Sequence, residues 1–185
     1  MIKYRNYIIG FGVFLLLLFS LCFVHVGTRH SAEKHEKEKT TIIRMDKRSI
    51  RPDDGDTFFY RDLTIRILGI DAPEIIHKDH GIFKDQPYGR QAAEMTISLL
   101  RKAKKVEYLP FQNDKYGRLL AHVFIDGELL SIHLIRARLA YENISYYGDN
   151  GFPDLAERIL KAAEDSPQPP FEKPYIWRRE HQLKK

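Results

Sequence analysis

Apolar and polar residues follow one another in long blocks at the start of the chain. Residues 8–26 form a continuous apolar stretch, interrupted only by Gly10, Gly12, Ser20 and His25. As a helix it would be about 28 Å long, close to the hydrocarbon thickness of a bilayer. A core helix would show a polar face, and this stretch has none. We therefore expect a transmembrane signal-anchor at residues 8–26, preceded by a basic head at residues 1–7.

The pattern changes twice after this stretch. Residues 27–41 are polar, low in complexity and without apolar periodicity, which is typical of a solvated tether. From residue 42 onward, short segments rich in β-branched and aromatic residues alternate with amphipathic ones. We expect strands within 41–50, 57–62, 63–72, 105–110 and 119–130, and helices over 88–105, 130–140 and 152–166. The proline-rich segment 167–177 is expected to be irregular.

The order of these elements indicates the fold class. Strands come first, then a helix, then more strands, and helices follow at the end. This order favours an α+β domain with a small barrel as its sheet. We place the domain at residues 42–178, followed by a basic tail at residues 179–185. A chain of 185 residues is long enough for one such domain and an N-terminal appendage.

The net charge and the number of cysteines exclude few classes of function. The formal net charge is +5, but the head carries two positive charges and the tether a net one. The remaining +2 of residues 42–185 is only weakly basic, so net charge alone does not indicate polyanion binding. A single cysteine, Cys22, excludes an intrachain disulfide and a cysteine-based zinc site. His77 and His80 fall short of the ligand set of zinc and are expected to face solvent.

The apolar stretch leaves the location of the domain open. A basic head followed by an apolar core suits a signal sequence, but this core is long and no convincing small-residue cleavage site follows it. The C-terminal flank carries more Lys and Arg than the head, which argues against a cytoplasmic N-terminus. Those later charges alternate with glutamates, whereas the head is purely basic. We expect a single-pass membrane protein with its domain outside the cytoplasm; the alternative is secretion after signal cleavage.

Candidate chemistry is concentrated in "DGDTFFYRDLTIRILGIDAPE", residues 54–74. Asp54 and Asp56 precede one apolar run, and Asp71 and Glu74 follow the next. If the two runs pair as antiparallel strands through a short turn, Asp56 and Asp71 converge and Glu74 lies one step out. Several carboxylate oxygens at one point suit a hard cation such as calcium.

Arg66 places a cation inside the second apolar run. On the two-residue period of a strand it points away from Ile65 and Ile67. An unpaired charge at such a position is costly to bury, so a partner is required. Either the carboxylates or a bound phosphate can serve as that partner.

Four short segments taken together resemble one known family. "DGDT", "RILGIDAPE", "YGRQA" and "DKYGR" occur in the order and approximate spacing of the thermonuclease, or staphylococcal-nuclease-like, family. The resemblance extends from about residue 42 to Trp177. It implies a five-stranded OB-fold β-barrel with about three packed helices, here preceded by the transmembrane helix. It also implies calcium-dependent hydrolysis of DNA and RNA, and we expect a monomer that prefers single strands.

The resemblance assigns roles on the metal side of the site. Asp56 and Asp71 are similar to the metal-ligating carboxylates of the family. Ala72 stands where threonine is often found, but the family uses the backbone carbonyl at this position, so the ligand is retained. Asp54 resembles the acidic residue that supports the metal site from behind.

On the substrate side, Glu74 resembles the residue that positions or deprotonates the attacking water. Arg66 and Arg118 resemble the pair that neutralises the phosphate. The residues that match nucleotide contacts are Lys115, Tyr116 and Tyr147, with Tyr146 as the alternative to Tyr147. The loop 75–87 differs from the family pattern, which leaves substrate preference open.

Two classes of function compete on this reading. The first is a membrane-tethered, calcium-dependent, sugar-nonspecific nuclease. The alternative is a non-catalytic OB-fold module that binds single-stranded nucleic acid or a protein partner. A degenerate member would be expected to lose the acidic ligands or one arginine, and this chain keeps all of them, which favours the enzyme.

Overall fold

The computed structural model describes residues 41–183. Within them the chain forms nine strands, two 3₁₀ helices and five α-helices. The strands are β1 (Ile43–Arg44), β2 (Ile50–Pro52), β3 (Thr57–Tyr60), β4 (Leu63–Ile67), β5 (Ile70–Asp71), β6 (Val106–Asn113), β7 (Leu119–Ile125), β8 (Glu128–Leu129) and β9 (Tyr141–Glu142). The α-helices are α1 (Gly89–Lys102), α2 (Leu130–Arg136), α3 (Ile144–Tyr147), α4 (Pro153–Glu164) and α5 (Pro174–His181). The 3₁₀ helices are Lys47–Ser49 and Lys78–His80.

A mixed sheet forms the centre of the domain. Its strands are hydrogen-bonded in the order β1-β6-β7-β4-β3-β2, with β8 beside β7, while β5 and β9 form a separate ladder. The β4–β7 pairing is parallel, and the other pairings described are antiparallel. The expected α+β class is confirmed. The sheet has seven strands rather than the five of the expected barrel, and five α-helices are described rather than about three.

The β3–β4 hairpin has the expected geometry. A two-residue turn at Arg61–Asp62 joins the strands, and Thr57 lies opposite Arg66. Ile65 and Ile67 are fully buried on the core side, whereas Arg66 is only half-buried, as the alternation of a strand predicts. The start of β3 therefore lies beside the end of β4.

Two segments differ from the sequence-based expectation. The expected strand over residues 41–50 is interrupted by the first 3₁₀ helix, because the Asp46 side chain accepts a hydrogen bond from the Arg48 N–H and caps a turn there. The segment 167–177, expected to be irregular, contains the beginning of α5. Pro174 occupies the first turn of that helix, where its missing N–H has no intrahelical partner to lose.

The hydrophobic core lies between the sheet and helices α1, α2 and α4. It contains inward-facing residues of β3, β4, β6 and β7 together with Leu100, Leu134 and Ile159 from the three helices. No helix within residues 41–183 is long and apolar enough to cross a bilayer. The predicted transmembrane segment at residues 8–26 lies outside the described residues.

His122 is a buried titratable group in this core. It lies on β7 with 1% of its surface exposed, and its ring packs edge-on against Phe152 at 5.1 Å between centroids. Neither ring nitrogen has a hydrogen-bond partner among the described residues. Burial therefore lowers the pKa of His122 from 6.5 to about 4.

This pKa predicts a loss of stability in acid. Between pH 6.5 and about 4 the unfolded chain binds a proton that the folded protein excludes, so the free energy of unfolding falls as the pH falls. The His122 contribution should amount to about 3 kcal/mol once both states are past their pKa values. Urea unfolding of wild type and His122→Leu would be measured across this pH range. The free energy of unfolding should depend less steeply on pH in the variant.

A matched control is His133→Gln, which changes a half-buried histidine paired with Glu128 at 3.1 Å. The free energy of unfolding of this control should depend on pH nearly as in wild type, unlike that of His122→Leu. An unchanged slope in His122→Leu would show that another group causes the acid sensitivity.

Candidate active site

Arg66 joins the carboxylate that directly precedes β3 to the carboxylate on β5. Its Nη1 donates to Asp56 Oδ1 at 2.6 Å, and its Nη2 donates to Asp71 Oδ1 at 2.9 Å. The expected convergence of Asp56 and Asp71 is therefore observed. Of the two partners left open for Arg66, the structure shows the carboxylates. Burial alone would lower the pKa of Arg66, but Asp56 and Asp71 raise it above its ordinary value, so the guanidinium stays charged.

Asp56 is fixed by contacts on both of its oxygens. Its side chain is 3% exposed, and Oδ1 also accepts a hydrogen bond from Thr57 Oγ1 at 3.0 Å. Oδ2 accepts from the backbone N–H of Ala72 at 2.9 Å. This last bond connects the start of β3 to the chain that follows β5. It places the backbone N–H of Ala72 beside the Asp56 carboxylate.

Helix α1 packs directly behind this pair. A Cβ added to Gly55 would lie 2.7 Å from the Cβ atoms of both Ala72 and Ala92, so only glycine allows the three segments to approach so closely. Thr96 Oγ1 donates to the Gly55 carbonyl at 2.7 Å. The small residues Gly55 and Ala92 thus allow helix α1 to pack against the segment that carries Asp54 and Asp56.

The Asp54 side chain contacts the backbone of Asp56. Its Oδ1 accepts a hydrogen bond from the Asp56 N–H at 2.9 Å. Burial raises the pKa of Asp54 well above its ordinary range, and the nearby charges of Asp56 and Glu74 raise it further.

Glu74 is held at the backbone by Gln86. The Glu74 N–H donates to Gln86 Oε1 at 3.2 Å, and the Gln86 N–H donates to the Glu74 carbonyl at 2.8 Å. Gln86 Nε2 donates to the Glu172 carbonyl at 2.6 Å, and Gln86 is 1% exposed. A Cβ on Gly89 would clash with the Glu74 carbonyl, so the glycine of "YGRQA" permits this approach.

Arg178 brings a second guanidinium to the cluster from helix α5. Its Nη2 donates to Asp71 Oδ2 at 2.9 Å and its Nη1 to Asp71 Oδ1 at 3.2 Å. Nη1 also forms an ion pair with Glu74 Oε1. Burial raises the pKa of Glu74 above its ordinary value, and Arg178 opposes that rise.

Arg118 lies apart from the carboxylates in this structure. Arg66 is opposite Leu120 in the parallel β4–β7 pairing, so Arg118, two residues earlier, belongs to the same side of the sheet. Its guanidinium is held by Asp114, with Nε at 2.8 Å and Nη2 at 2.7 Å from Oδ2. Within residues 41–183, no described hydrogen bond joins it to the carboxylate cluster.

The remaining nucleotide-contact candidates are exposed. Lys115 Nζ lies 5.0 Å and Arg118 Cζ 5.5 Å from the centroid of the Tyr116 ring, which is 72% exposed. Tyr146 and Tyr147 are both exposed on α3 and pack edge to face at 4.7 Å. Their geometry gives no preference for Tyr147 over Tyr146.

The two histidines of the 75–87 loop contact each other rather than facing solvent separately. Their Nδ1 atoms are 3.1 Å apart, and His77 Nε2 lies 2.7 Å from Asp53 Oδ1. His77 is half-buried, while His80 is exposed. His77 therefore joins the loop to Asp53, the residue that precedes the acidic segment 54–56.

The donor set fits a hard cation chemically. The described contacts leave one lone pair on Oδ2 of Asp56 and one on Oδ2 of Asp71, and Ala72, whose N–H contacts Asp56, directly follows Asp71 in the chain. Oxygen donors of this kind suit calcium or magnesium rather than zinc. Within residues 41–183, no group of three or more His, Cys, Asp or Glu side chains is arranged to hold a metal. Arg66 and Arg178 donate to three of the four carboxylate oxygens of Asp56 and Asp71.

The structure thus places a cluster of carboxylates and arginines on a mixed α+β scaffold, and comparison with known proteins identifies the family of the chain. The family model "Staphylococcal nuclease homologue" matches residues 64–167. A thermonuclease of Staphylococcus intermedius is 30% identical over 134 residues, covering 69% of this chain and 77% of that protein. An uncharacterized endonuclease of Escherichia coli is 33% identical over 141 residues, covering 71% of this chain and 83% of that protein. The chain belongs to the staphylococcal nuclease homologue family.

Two residues of the site were missed by sequence reasoning. Arg178 lies 104 residues from Glu74 along the chain and directly follows the tryptophan at which the resemblance ends. Gln86 lies in the loop that departs from the family pattern. The proline at the start of α5 offered a signal for a helix there, but nothing in the local sequence indicated where its arginine points.

Gln86 should be required for the stability of the Glu74 loop. Gln86→Leu preserves volume but leaves the Glu74 N–H and the Glu172 carbonyl without their partner. The variant should lose about 1–3 kcal/mol of unfolding free energy in urea denaturation, since a buried polar group without a partner is costly. Gln91→Leu, on the exposed side of α1, should change stability by less than about 0.5 kcal/mol. Equal effects of the two substitutions would show that the Gln86 bonds do not hold the loop.

Proposed function

We propose that the protein is a calcium-dependent, sugar-nonspecific nuclease that hydrolyses phosphodiester bonds of DNA and RNA. The observation that carries the proposal is the Arg66 bridge between Asp56 and Asp71, with Glu74 at the same cluster, in a chain of the staphylococcal nuclease homologue family. The names of the relatives, thermonuclease and endonuclease, agree with it. We also propose that the mixed sheet is the OB-type barrel of the family.

Glu74 is proposed to act on water. Oε2 has no hydrogen-bond partner among the described residues, whereas Arg178 holds Oε1. A water molecule bound at Oε2 would lose a proton to Glu74 as its oxygen bonds to phosphorus. The bond from phosphorus to the leaving sugar oxygen then breaks, and that oxygen takes a proton from solvent. General-base assistance of this kind contributes about 10²–10⁴-fold to a rate.

Arg66 and Arg118 are proposed to neutralise the phosphate. Hydrolysis increases the charge on the phosphoryl oxygens, and a planar guanidinium can donate to two of them at once. Arg66 is already aimed at the cluster. Arg118 would exchange its bonds to Asp114 for bonds to the substrate, since it is only partly buried at the start of β7.

A calcium ion is proposed at Asp56, Asp71 and the Ala72 carbonyl, supported from behind by Asp54. When bound, the ion supplies positive charge next to the phosphoryl oxygens and lowers the pKa of coordinated water. Asp56 is already oriented for this role by Thr57 and the Ala72 N–H.

Single-stranded nucleic acid is the proposed preferred substrate, and the protein is proposed to act as a monomer. The exposed rings of Tyr116 and Tyr147, or Tyr146, offer surfaces on which an unpaired base can stack. Lys115 lies beside Tyr116 and can contact a phosphate.

Glu74→Gln tests catalysis separately from binding. The substitution preserves shape but removes the base, so the turnover of single-stranded DNA should fall about 100-fold or more while nucleotide affinity changes little. Cleavage and binding would be measured in parallel on full-length protein in detergent, with calcium and with a chelator. Wild-type cleavage should require calcium and disappear in chelator.

The matched control is Glu94→Gln, which removes an exposed carboxylate from α1 and should keep wild-type turnover. Wild-type turnover in Glu74→Gln would overturn the catalytic assignment and favour the non-catalytic binding module. Full activity in chelator would overturn the calcium assignment.

We also propose that residues 8–26 anchor the protein in a membrane with its nuclease domain outside the cytoplasm. A Leu16→Arg/Leu17→Arg variant should release full-length protein from the membrane fraction, because each arginine at the centre of a spanning helix costs about 2.5–3.5 kcal/mol. Thr40→Arg, in the tether, should remain membrane-bound. A chain cut between residues 27 and 35 in the producing cell would show a cleaved signal instead.

A further inference from the structure

Four of the last residues described contact Glu74 or the loop 75–87. We call residues 172–183 the C-terminal clamp. The Glu172 carbonyl accepts from Gln86 Nε2 at 2.6 Å, and Arg178 pairs with Glu74. At the end of α5, the Leu183 N–H donates to the Gly81 carbonyl at 3.0 Å, and Gln182 Nε2 donates to the His80 carbonyl at 2.7 Å.

Arg178 uses the same oxygens that the metal requires. Its two nitrogens contact both oxygens of Asp71, the residue proposed as a metal ligand, and one oxygen of Glu74. A divalent cation on Asp71 would share that carboxylate with the Arg178 guanidinium. Two positive charges on the same carboxylate repel each other strongly. Asp71 Oδ2 keeps one lone pair for a metal, but repulsion between the two cations favours one of them at this carboxylate at a time.

Arg178 is better placed to move than Arg66. Arg66 lies within β4, which is hydrogen-bonded to β3 on one side and β7 on the other. Arg178 reaches the site from α5, an eight-residue helix at the end of the described chain. Its guanidinium can leave the site by rotation of one side chain or by a shift of a short helix, without disturbing the sheet.

We propose that Arg178 is a counter-cation of the carboxylate site, and that calcium binding displaces its guanidinium from Asp71. This inference rests on the proposed function, since it requires calcium at Asp56 and Asp71. The displacement frees Asp71 for the metal and changes the contact that holds Glu74. It thereby couples metal loading to the C-terminal clamp and to the loop 75–87.

The experiment compares Arg178→Met with Arg179→Met in the full-length protein. Met keeps the length of the side chain and removes its charge, and Arg179 is the exposed neighbour on the same helix, so both variants change net charge equally. Calcium affinity is measured by isothermal titration calorimetry. Arg178→Met should bind calcium about tenfold more tightly than wild type, within the usual range for two coupled binding events. Arg179→Met should stay within about twofold of wild type.

A second readout follows the displacement itself. Trp177 is the single tryptophan of the chain and precedes Arg178 on α5, buried and stacked on His181 at 4.6 Å. Calcium should change its emission in wild type and in Arg179→Met, but much less in Arg178→Met. Tighter binding with the same emission change in all three proteins would indicate general electrostatics and overturn the displacement.

Unchanged or weaker calcium binding in Arg178→Met, with cleavage by wild type still calcium-dependent, would overturn this inference alone. If wild type neither binds calcium nor needs it for cleavage, the proposed cofactor fails and the inference fails with it. If Arg178→Met does not fold, Arg178→Lys replaces it. Lysine keeps the charge but not the two-point contact, so it should bind calcium more tightly than wild type by a smaller factor.

Discussion

Charge compensation at Arg66 is the constraint on which the site depends. Asp56 and Asp71 are both almost fully buried, and each contacts the same guanidinium. Two buried carboxylates so close together would repel and take up a proton if no cation lay between them. A cation in the middle of β4, next to the core residues Ile65 and Ile67, is therefore part of the structure as well as a candidate for the proposed chemistry.

The same requirement explains why the end of the chain reaches back to the site. Glu74 adds a third carboxylate, and Arg66 makes no described hydrogen bond to it. Arg178 supplies the second cation, and Gln86 supplies the backbone contacts that keep Glu74 in place. Contacts separated by about a hundred residues thus complete a cluster whose other members are close together in sequence.

The sequence predicts the part of this arrangement whose residues lie close together along the chain. The turn between two apolar runs, the alternation around Arg66 and the positions of Asp56 and Asp71 all follow from the two-residue period of paired strands. Arg178 could not be found in that way, because no periodicity connects residue 178 to residue 71. The expectation that segment 167–177 is irregular was also wrong in part. Prolines argue against regular structure in general, but they favour a helix when one of them lies in its first turn.

A nuclease site of this type has to satisfy two opposite electrostatic demands. A metal ion needs negative oxygens, and a phosphodiester needs positive groups beside it. The structure interleaves the two signs instead of separating them, with Arg66 between Asp56 and Asp71, and Arg178 between Asp71 and Glu74. Interleaving keeps the buried site close to neutral before any ligand arrives. On the proposed function, a metal ion or a phosphate bound here would alter the balance of these ion pairs, so binding and rearrangement of the arginines would be linked by the charges.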